Sequence, residues 1–201
     1  MPRTVDHAKR RVELIAAGWK LIARDGLEMA TMRRVAAEAG CTTGMLTHYF
    51  ADRQSLLVGA LRGAHERAAA RMISAAVDAE SDFDRLERVV MESLPLDDVR
   101  TQEWRIWLAF WGASMSNPDL AAENQARYVE WRSTVSALLS EIFADDADAQ
   151  NECNLLIAMI DGLGIWVARQ AGTDGAALNS KQQQCSDTIA YYLTQLSARA
   201  T

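Results

Sequence analysis

Residues 31–57 read TMRRVAAEAGCTTGMLTHYFADRQSLL, and this stretch decides the fold. Thr31 and Thr42 each precede a short apolar run, where a hydroxyl oxygen caps a helix start by accepting a backbone N–H. Gly40 supplies the left-handed conformation that ends the first of the two helices, and Ala36 and Ala39 are small enough to let them approach closely. Two short helices joined through a sharp glycine turn make a helix-turn-helix. The second of them is expected to end near Phe50, with Asp52 capping the next helix, which runs roughly to Val77 and connects head to body.

A recognition helix enters the major groove by its N-terminal end, which calls for short polar side chains able to reach base edges or phosphates. Thr42, Thr43, Thr47 and His48 meet that demand, Gly44 allows close backbone approach, and the Tyr49 hydroxyl suits a phosphate. Met45, Leu46 and Phe50 are read as inward anchors, with a thymine methyl as a second partner for Met45. Thr31, Arg33, Arg34 and Arg53 lie at helix starts where they flank a groove. For Arg33 and Arg34 an ordinary solvent-facing role competes with DNA contact.

Outward from this module the periodicity is helical throughout. A first helix over about 5–25 places Ala8, Val12, Ile15, Ala16, Trp19, Ile22 and Ala23 on one face, and Gly26 stops it. Further helices are expected at about 82–94, 100–115, 118–144, 150–171 and 176–199. Asn117 followed by Pro118 marks the sharpest start among them. The acidic stretch ADDADAQ, 144–150, reads as a solvated connection. The fold class is therefore all-α with about nine helices: a three-helix DNA-binding domain over 1–51 and a larger helical regulatory and dimerisation domain over 52–201.

The chain has 201 residues, 49% of them hydrophobic, and a formal net charge of −6. That charge is unevenly spread. Residues 1–53 hold nine Lys/Arg and six Asp/Glu, a balance of +3, and the remainder carries −9. A basic head on an acidic body suits phosphate contact at one end only. Cys41, Cys153 and Cys185 are odd in number and widely spaced, which argues against a disulfide framework or a metal site. No apolar run is long enough for a membrane span and the start lacks a secretory h-region, so a cytoplasmic location is expected. With three histidines, no GxSxG elbow, no phosphate-cradling loop and no metal spacing, catalysis and a bound cofactor are not expected.

The 31–57 stretch closely resembles the helix-turn-helix signature of the tetracycline-repressor (TetR) family of bacterial regulators. The likeness runs through Thr31, Val35 and Ala36, the Ala39-Gly40 turn, Gly44, the His48-Tyr49-Phe50 end and Leu56. Cys41 stands where valine is usual, Thr43 where lysine is frequent, and Thr47 where an aromatic is frequent. The segments EWRIWLAFWGASMSNPDL (103–120), RYVEWR (127–132) and IDGLGIW (160–166) resemble the C-terminal domain of the betaine-pathway repressor subgroup, whose namesake responds to choline. The resemblance implies a homodimer on a palindromic, double-stranded operator, released by a small-molecule effector.

Trp104, Trp107, Trp111 and Met115 form a stripe at helical spacing, with Tyr128, Trp131 and Trp166 as candidates across from it. Such rings are suited to caging a cationic effector, for which Glu103, Glu130 or Asp161 would supply charge. They are equally suited to filling a core. Asp161 is conspicuous because it interrupts an apolar helix. That helix, 154–172, is apolar around most of its circumference, so one face is expected to meet a partner subunit, with Gly162 and Gly164 permitting close approach. Leu156, Met159, Leu163 and Val167, with Ile189, Tyr192, Leu193 and Leu196 of the last helix, are the candidate interface. Two other readings stand beside the regulator: an architectural or partner-recruiting DNA-binding protein with no small ligand, and a helical enzyme acting on the molecule it binds.

Overall fold

The computed structural model describes residues 7–169 and 175–200. Among these it contains nine α-helices and one 3-10 turn: α1 (His7–Asp25), the turn Leu27–Met29, α2 (Met32–Glu38), α3 (Thr43–Thr47), α4 (Arg53–Ala76), α5 (Asp82–Ser93), α6 (Asp98–Ser114), α7 (Pro118–Ser140), α8 (Asp146–Ala168) and α9 (Gly175–Ala200). Residues 5, 6, 170 and 171, assigned to helix ends from sequence, lie outside the described residues.

The helix starts follow from local chemistry. Thr31 Oγ1 accepts the Arg34 N–H at 3.3 Å and Thr42 Oγ1 the Met45 N–H at 3.1 Å. Asp52 Oδ1 accepts the Ser55 N–H at 2.7 Å, and Asn117 Oδ1 the N–H groups of Asp119 and Leu120, both at 3.1 Å. Each satisfies a donor that the first helical turn leaves without a carbonyl. The stops fall at glycines in the left-handed region: Gly26 has φ 86° and Gly40 φ 63°. Around Gly40 the Cys41 N–H returns to the Ala36 carbonyl at 2.9 Å, which closes α2 in the manner of a Schellman turn.

Three details depart from the sequence reading. The buried stripe of α1 is Leu14, Ile15, Ala17, Trp19, Leu21 and Ile22, whereas Val12 is exposed; the expected face was rotated. The helix α3 ends at Thr47, and His48 and Tyr49 continue in turn conformation before Phe50. The acidic 144–150 stretch is largely the first turn of α8, because Asp145 Oδ1 accepts the N–H groups of Ala147 at 2.7 Å and Asp148 at 3.1 Å. The acids at Asp146 and Asp148 then sit at the positive end of the helix dipole.

The chain divides into two compact units, 1–66 with 106–125, and 67–105 with 126–201. The first therefore extends past the boundary expected at residue 51. Its core explains why: Leu14, Val35, Leu46, Phe50, Leu57 and Ala60 share one buried cluster with Ile106, Phe110 and Leu120, so these later residues complete the burial of the three-helix head. Trp19 lies in the same cluster and its Nε1 donates to the Ala60 carbonyl at 2.8 Å. In the second unit α9 packs on α5 and α8, and Leu86, Val90, Leu156, Ile160, Ile189 and Leu193 are fully buried.

Candidate nucleic-acid interface and effector region

Helix α3 is anchored on the head by Leu46, which is fully buried, and by the equally buried Phe50 one turn on. With Leu46 inward, its neighbours fall about 100° to either side and point out. Thr42, Thr43, Gly44, Thr47 and His48 are exposed, as expected. Met45 is exposed too, by 43%. It was assigned inward from sequence, yet one residue before a buried leucine it cannot share that leucine's face.

The flanking residues sort into exposed and committed groups. Thr31 and Arg33 are exposed. Arg34 instead donates to Asp25 at 2.5 Å, and Asp25 is held below the usual carboxylate range, chiefly by its hydrogen bond from Arg24 with Arg34 adding to it. Arg53 braces the head from within: its Nη2 donates to the Leu27 carbonyl at 2.7 Å and its Nε to the Ala30 carbonyl at 3.1 Å. Tyr49 is half-buried; its ring is 5.6 Å from that of His7, and its carbonyl accepts from Arg11 at 2.9 Å. The same Arg11 guanidinium stacks 4.4 Å over the Phe50 ring. Arg10 pairs with Glu13 at 2.6 Å and extends to the Ala39 carbonyl at 3.5 Å. Apart from the Arg10–Glu13 and Arg24–Asp25 pairs, these contacts join residues 9 to 42 positions apart, beyond the reach of local pattern.

In the second unit the structure breaks up the expected aromatic set. Trp104 is buried, its Nε1 donating to the Ser93 carbonyl at 2.8 Å and its six-membered ring lying over Gly164, where a Cβ would come within 2.3 Å of three ring carbons. Gly164 therefore makes room for an internal tryptophan and is not open to a partner. Glu103 is buried and gripped by both Arg71 nitrogens, at 2.7 and 2.9 Å. Trp166 is exposed, with Lys181 Nζ 4.6 Å above its ring. Trp107 and Trp111 belong to the first unit, where both are half-buried and Trp107 packs on the core cluster. Met115 is almost fully exposed.

Tyr128 and Asp161 do come together: the phenol donates to Asp161 Oδ2 at 2.8 Å. Burial pushes the Asp161 carboxyl above its ordinary value, and burial followed by the bond to Asp161 pushes the Tyr128 hydroxyl up to about 12. Trp131, half-buried, lies one turn along α7 from Tyr128. An open groove of about 440 Å³ between α7 and α8 is lined by Arg132, Ser133, Ser136, Ser140 and Cys153, and none of the expected aromatic residues borders it.

The interface residues named from sequence are corrected in part. Leu156, Val167, Ile189, Leu193 and Leu196 are fully buried within the single chain, so they hold α8 and α9 to their own unit. Met159, Leu163 and Tyr192 are half-buried, and the Tyr192 hydroxyl donates to Glu152 at 2.5 Å. The apolar positions left outward are Leu155, 55% exposed, and Trp166, 37% exposed, on α8, and Tyr191, 70% exposed, on α9.

A capped, outward-facing α3 beside α2, carried by an all-helical chain, defines a helix-turn-helix DNA-binding regulator. Residues 14–60 match the family of bacterial regulatory proteins described as tetR, and residues 83–194 match the BetI-type transcriptional repressor C-terminal family. The chain is 31% identical to the HTH-type transcriptional regulator BetI of Paraburkholderia phymatum, covering 98% of this chain and 100% of the relative. It is 29% identical to the HTH-type transcriptional regulator PksA of Bacillus subtilis, covering 82% of each. Among solved structures, a putative transcriptional regulator from Saccharomonospora viridis in complex with choline superposes with a TM-score of 0.76 at 28% identity, covering 91% of this chain and 96% of that one. The chain belongs to the TetR family of transcriptional regulators and carries a BetI-type repressor C-terminal region. The family and these relatives are transcriptional regulators, not enzymes. No helix among the described residues is long and apolar enough to cross a membrane.

Proposed function

We propose that the protein represses by occupying a palindromic operator as a homodimer in the cytoplasm, and that a small cationic effector releases it. The observation that carries the DNA contact is the outward face of α3, where Thr42, Thr43, Gly44, Thr47 and His48 are all exposed while Leu46 anchors the helix. Thr31, which caps α2, and Arg33 within it extend this face toward phosphates. The test is selection of bound fragments from genomic DNA, followed by titration of Thr43→Glu. A carboxylate in the groove repels phosphate and abolishes binding while the dimer keeps its mass; normal binding by that variant overturns the assignment.

For the homodimer, the outward α8 positions Leu155, Ala158, Gly162 and Trp166 recur every three to four residues, with Tyr191 on the neighbouring α9. That stripe fits pairing of α8 and α9 with their copies in a four-helix arrangement. For the effector, Asp161 is a partly buried carboxylate on an apolar helix with a phenol as its hydrogen-bond partner. A cation beside it offsets the desolvation of its charge, and the Tyr128 and Trp131 rings suit an ammonium group. The choline complex of the Saccharomonospora relative supports this reading. Calorimetric titration with choline, run on the wild type and on Asp161→Asn, tests it: equal heats for both remove Asp161 from the site.

A further inference from the structure

The surface that α3 presents lacks every side chain that reads a purine or cytosine by paired hydrogen bonds. Guanine is read by Arg or Lys, adenine by Asn or Gln, and cytosine by Asp or Glu. From Cys41 to Ala51 none of these six residue types occurs. The hydroxyls present are partly spent at home: Thr42 Oγ1 accepts the cap bond from Met45, and the Thr47 hydroxyl donates to the Gly44 carbonyl at 2.8 Å. Thr42, Thr43 and Thr47 are exposed, and each carries a methyl group beside its hydroxyl. Between them stands Met45, 43% exposed.

The nearest cation does not change this. Arg10 is engaged with Glu13 and the Ala39 carbonyl, and its Nη2 lies 3.8 Å from Met45 Sδ. The guanidinium thus flanks the thioether and limits where it can lie. Arg34 and Arg53 are held by Asp25 and by the Leu27 and Ala30 carbonyls. An exposed, polarizable and apolar side chain on the reading helix has one complementary feature in the major groove, the 5-methyl group of thymine.

We infer that Met45 is a specificity-determining residue that reads thymine methyl groups, and that the operator half-site facing α3 is built on thymine. The inference rests on the operator-binding reading above. It also explains how a recognition helix without Lys or Arg discriminates sequence, since apolar contact replaces bidentate readout.

The test uses the full chain. Duplexes are selected from a randomised pool, and each selected thymine is then replaced singly by deoxyuridine, which lacks only the methyl, in fluorescence anisotropy titrations. At the thymines facing α3 the affinity falls about 4-fold per methyl lost, as expected for one buried carbon. Met45→Ala lowers affinity for the thymine duplex and erases the difference between thymine and deoxyuridine, while Met45→Leu preserves that difference. Because Met45 is exposed, unchanged circular dichroism and thermal unfolding certify the variants. Specific binding that ignores every deoxyuridine substitution, or a Met45→Ala protein that still discriminates, overturns the inference and leaves operator binding standing. A protein that selects no duplex overturns both.

Discussion

Replacing Gly164 with Ala tests the packing that turns the body's most prominent aromatic into structure. A Cβ there would sit 2.2–2.3 Å from Cη2, Cζ2 and Cζ3 of Trp104, against an ordinary carbon–carbon contact of about 3.5–4.0 Å. The ring must retreat by more than about 1 Å, and it is buried with its Nε1 bonded to the Ser93 carbonyl. Overpacking costs about 1–3 kcal/mol, and stranding that carbonyl about 1–3 more. Alanine's better helix propensity returns about 1 kcal/mol. The net expectation is a loss of about 1–5 kcal/mol, read by urea unfolding at fixed protomer concentration because association shifts apparent stability. The decisive measurement is the same change in a Trp104→Ala background. With the ring gone, Gly164→Ala should become neutral or slightly stabilising, a reversal of sign within one double-mutant cycle. Gly112, with nothing within 4 Å of an added Cβ, serves as a control and should gain about 0.5–1 kcal/mol on substitution by alanine. An equal penalty at Gly164 in both backgrounds refutes the packing argument.

Asp161→Asn carries a signed pH dependence. Its carboxyl is raised in the folded chain, so folding binds a proton that the unfolded chain releases, and this contribution is present at low pH and lost as pH rises from the ordinary carboxylate range of about 4. Asp161→Asn should therefore melt higher than wild type at neutral pH, with the gap closing toward about pH 4, while choline binding is lost. Arg33→Ala should leave stability within about 0.5 kcal/mol and reduce the salt slope of operator binding by about one, whereas Arg53→Ala should cost about 1–2 kcal/mol by stranding the Leu27 and Ala30 carbonyls, measured by thermal unfolding. Glu103→Gln removes the charge from a buried bidentate pair with partly exposed Arg71, and should cost about 2 kcal/mol in urea unfolding. Leu155→Asp should yield a monomer by sedimentation, with operator affinity reduced at least about 100-fold and binding to an isolated half-site unchanged.

What the sequence disclosed follows the range of the interactions involved. Thr31, Thr42, Asp52 and Asn117 were legible as caps because a cap bond closes within two or three residues. Gly26 and Gly40 were legible because only glycine takes their backbone angles readily. The same local chemistry was hidden at Asp145, where an acidic run resembled a linker by composition while its carboxylate capped α8. Side-chain roles set by distant partners did not show. Arg34 and Arg53 carry the charge expected of phosphate contacts, but Asp25 and two carbonyls claim them. Trp104 joined a plausible aromatic stripe, and its position is fixed by a glycine 60 residues away. The α8 helix is apolar on nearly every side, so periodicity alone could not say which leucines serve the chain's own core; Leu155 and Leu156 are adjacent in sequence and opposite in fate.

These placements bear jointly on how the protein would hold DNA. Arg10, Arg24, Arg34 and Arg53 are each bound to partners within the chain, and every arginine so engaged is one fewer counterion-releasing phosphate contact. The remaining body is acidic, a charge that opposes approach to phosphate. If Met45 reads thymine as inferred above, a single head binds modestly, since methyl contacts worth a few-fold each cannot alone make it tight. In the proposed homodimer, joining two heads would supply what is missing, because the second would meet its half-site at an effective concentration in the millimolar range, multiplying affinity by about 10²–10⁴ without a new contact. That multiplication holds only while the two half-sites and the two heads share one spacing. A protein arranged this way gains an easy route to release: an effector that alters the spacing need not weaken any individual DNA contact, since losing the simultaneous engagement is enough.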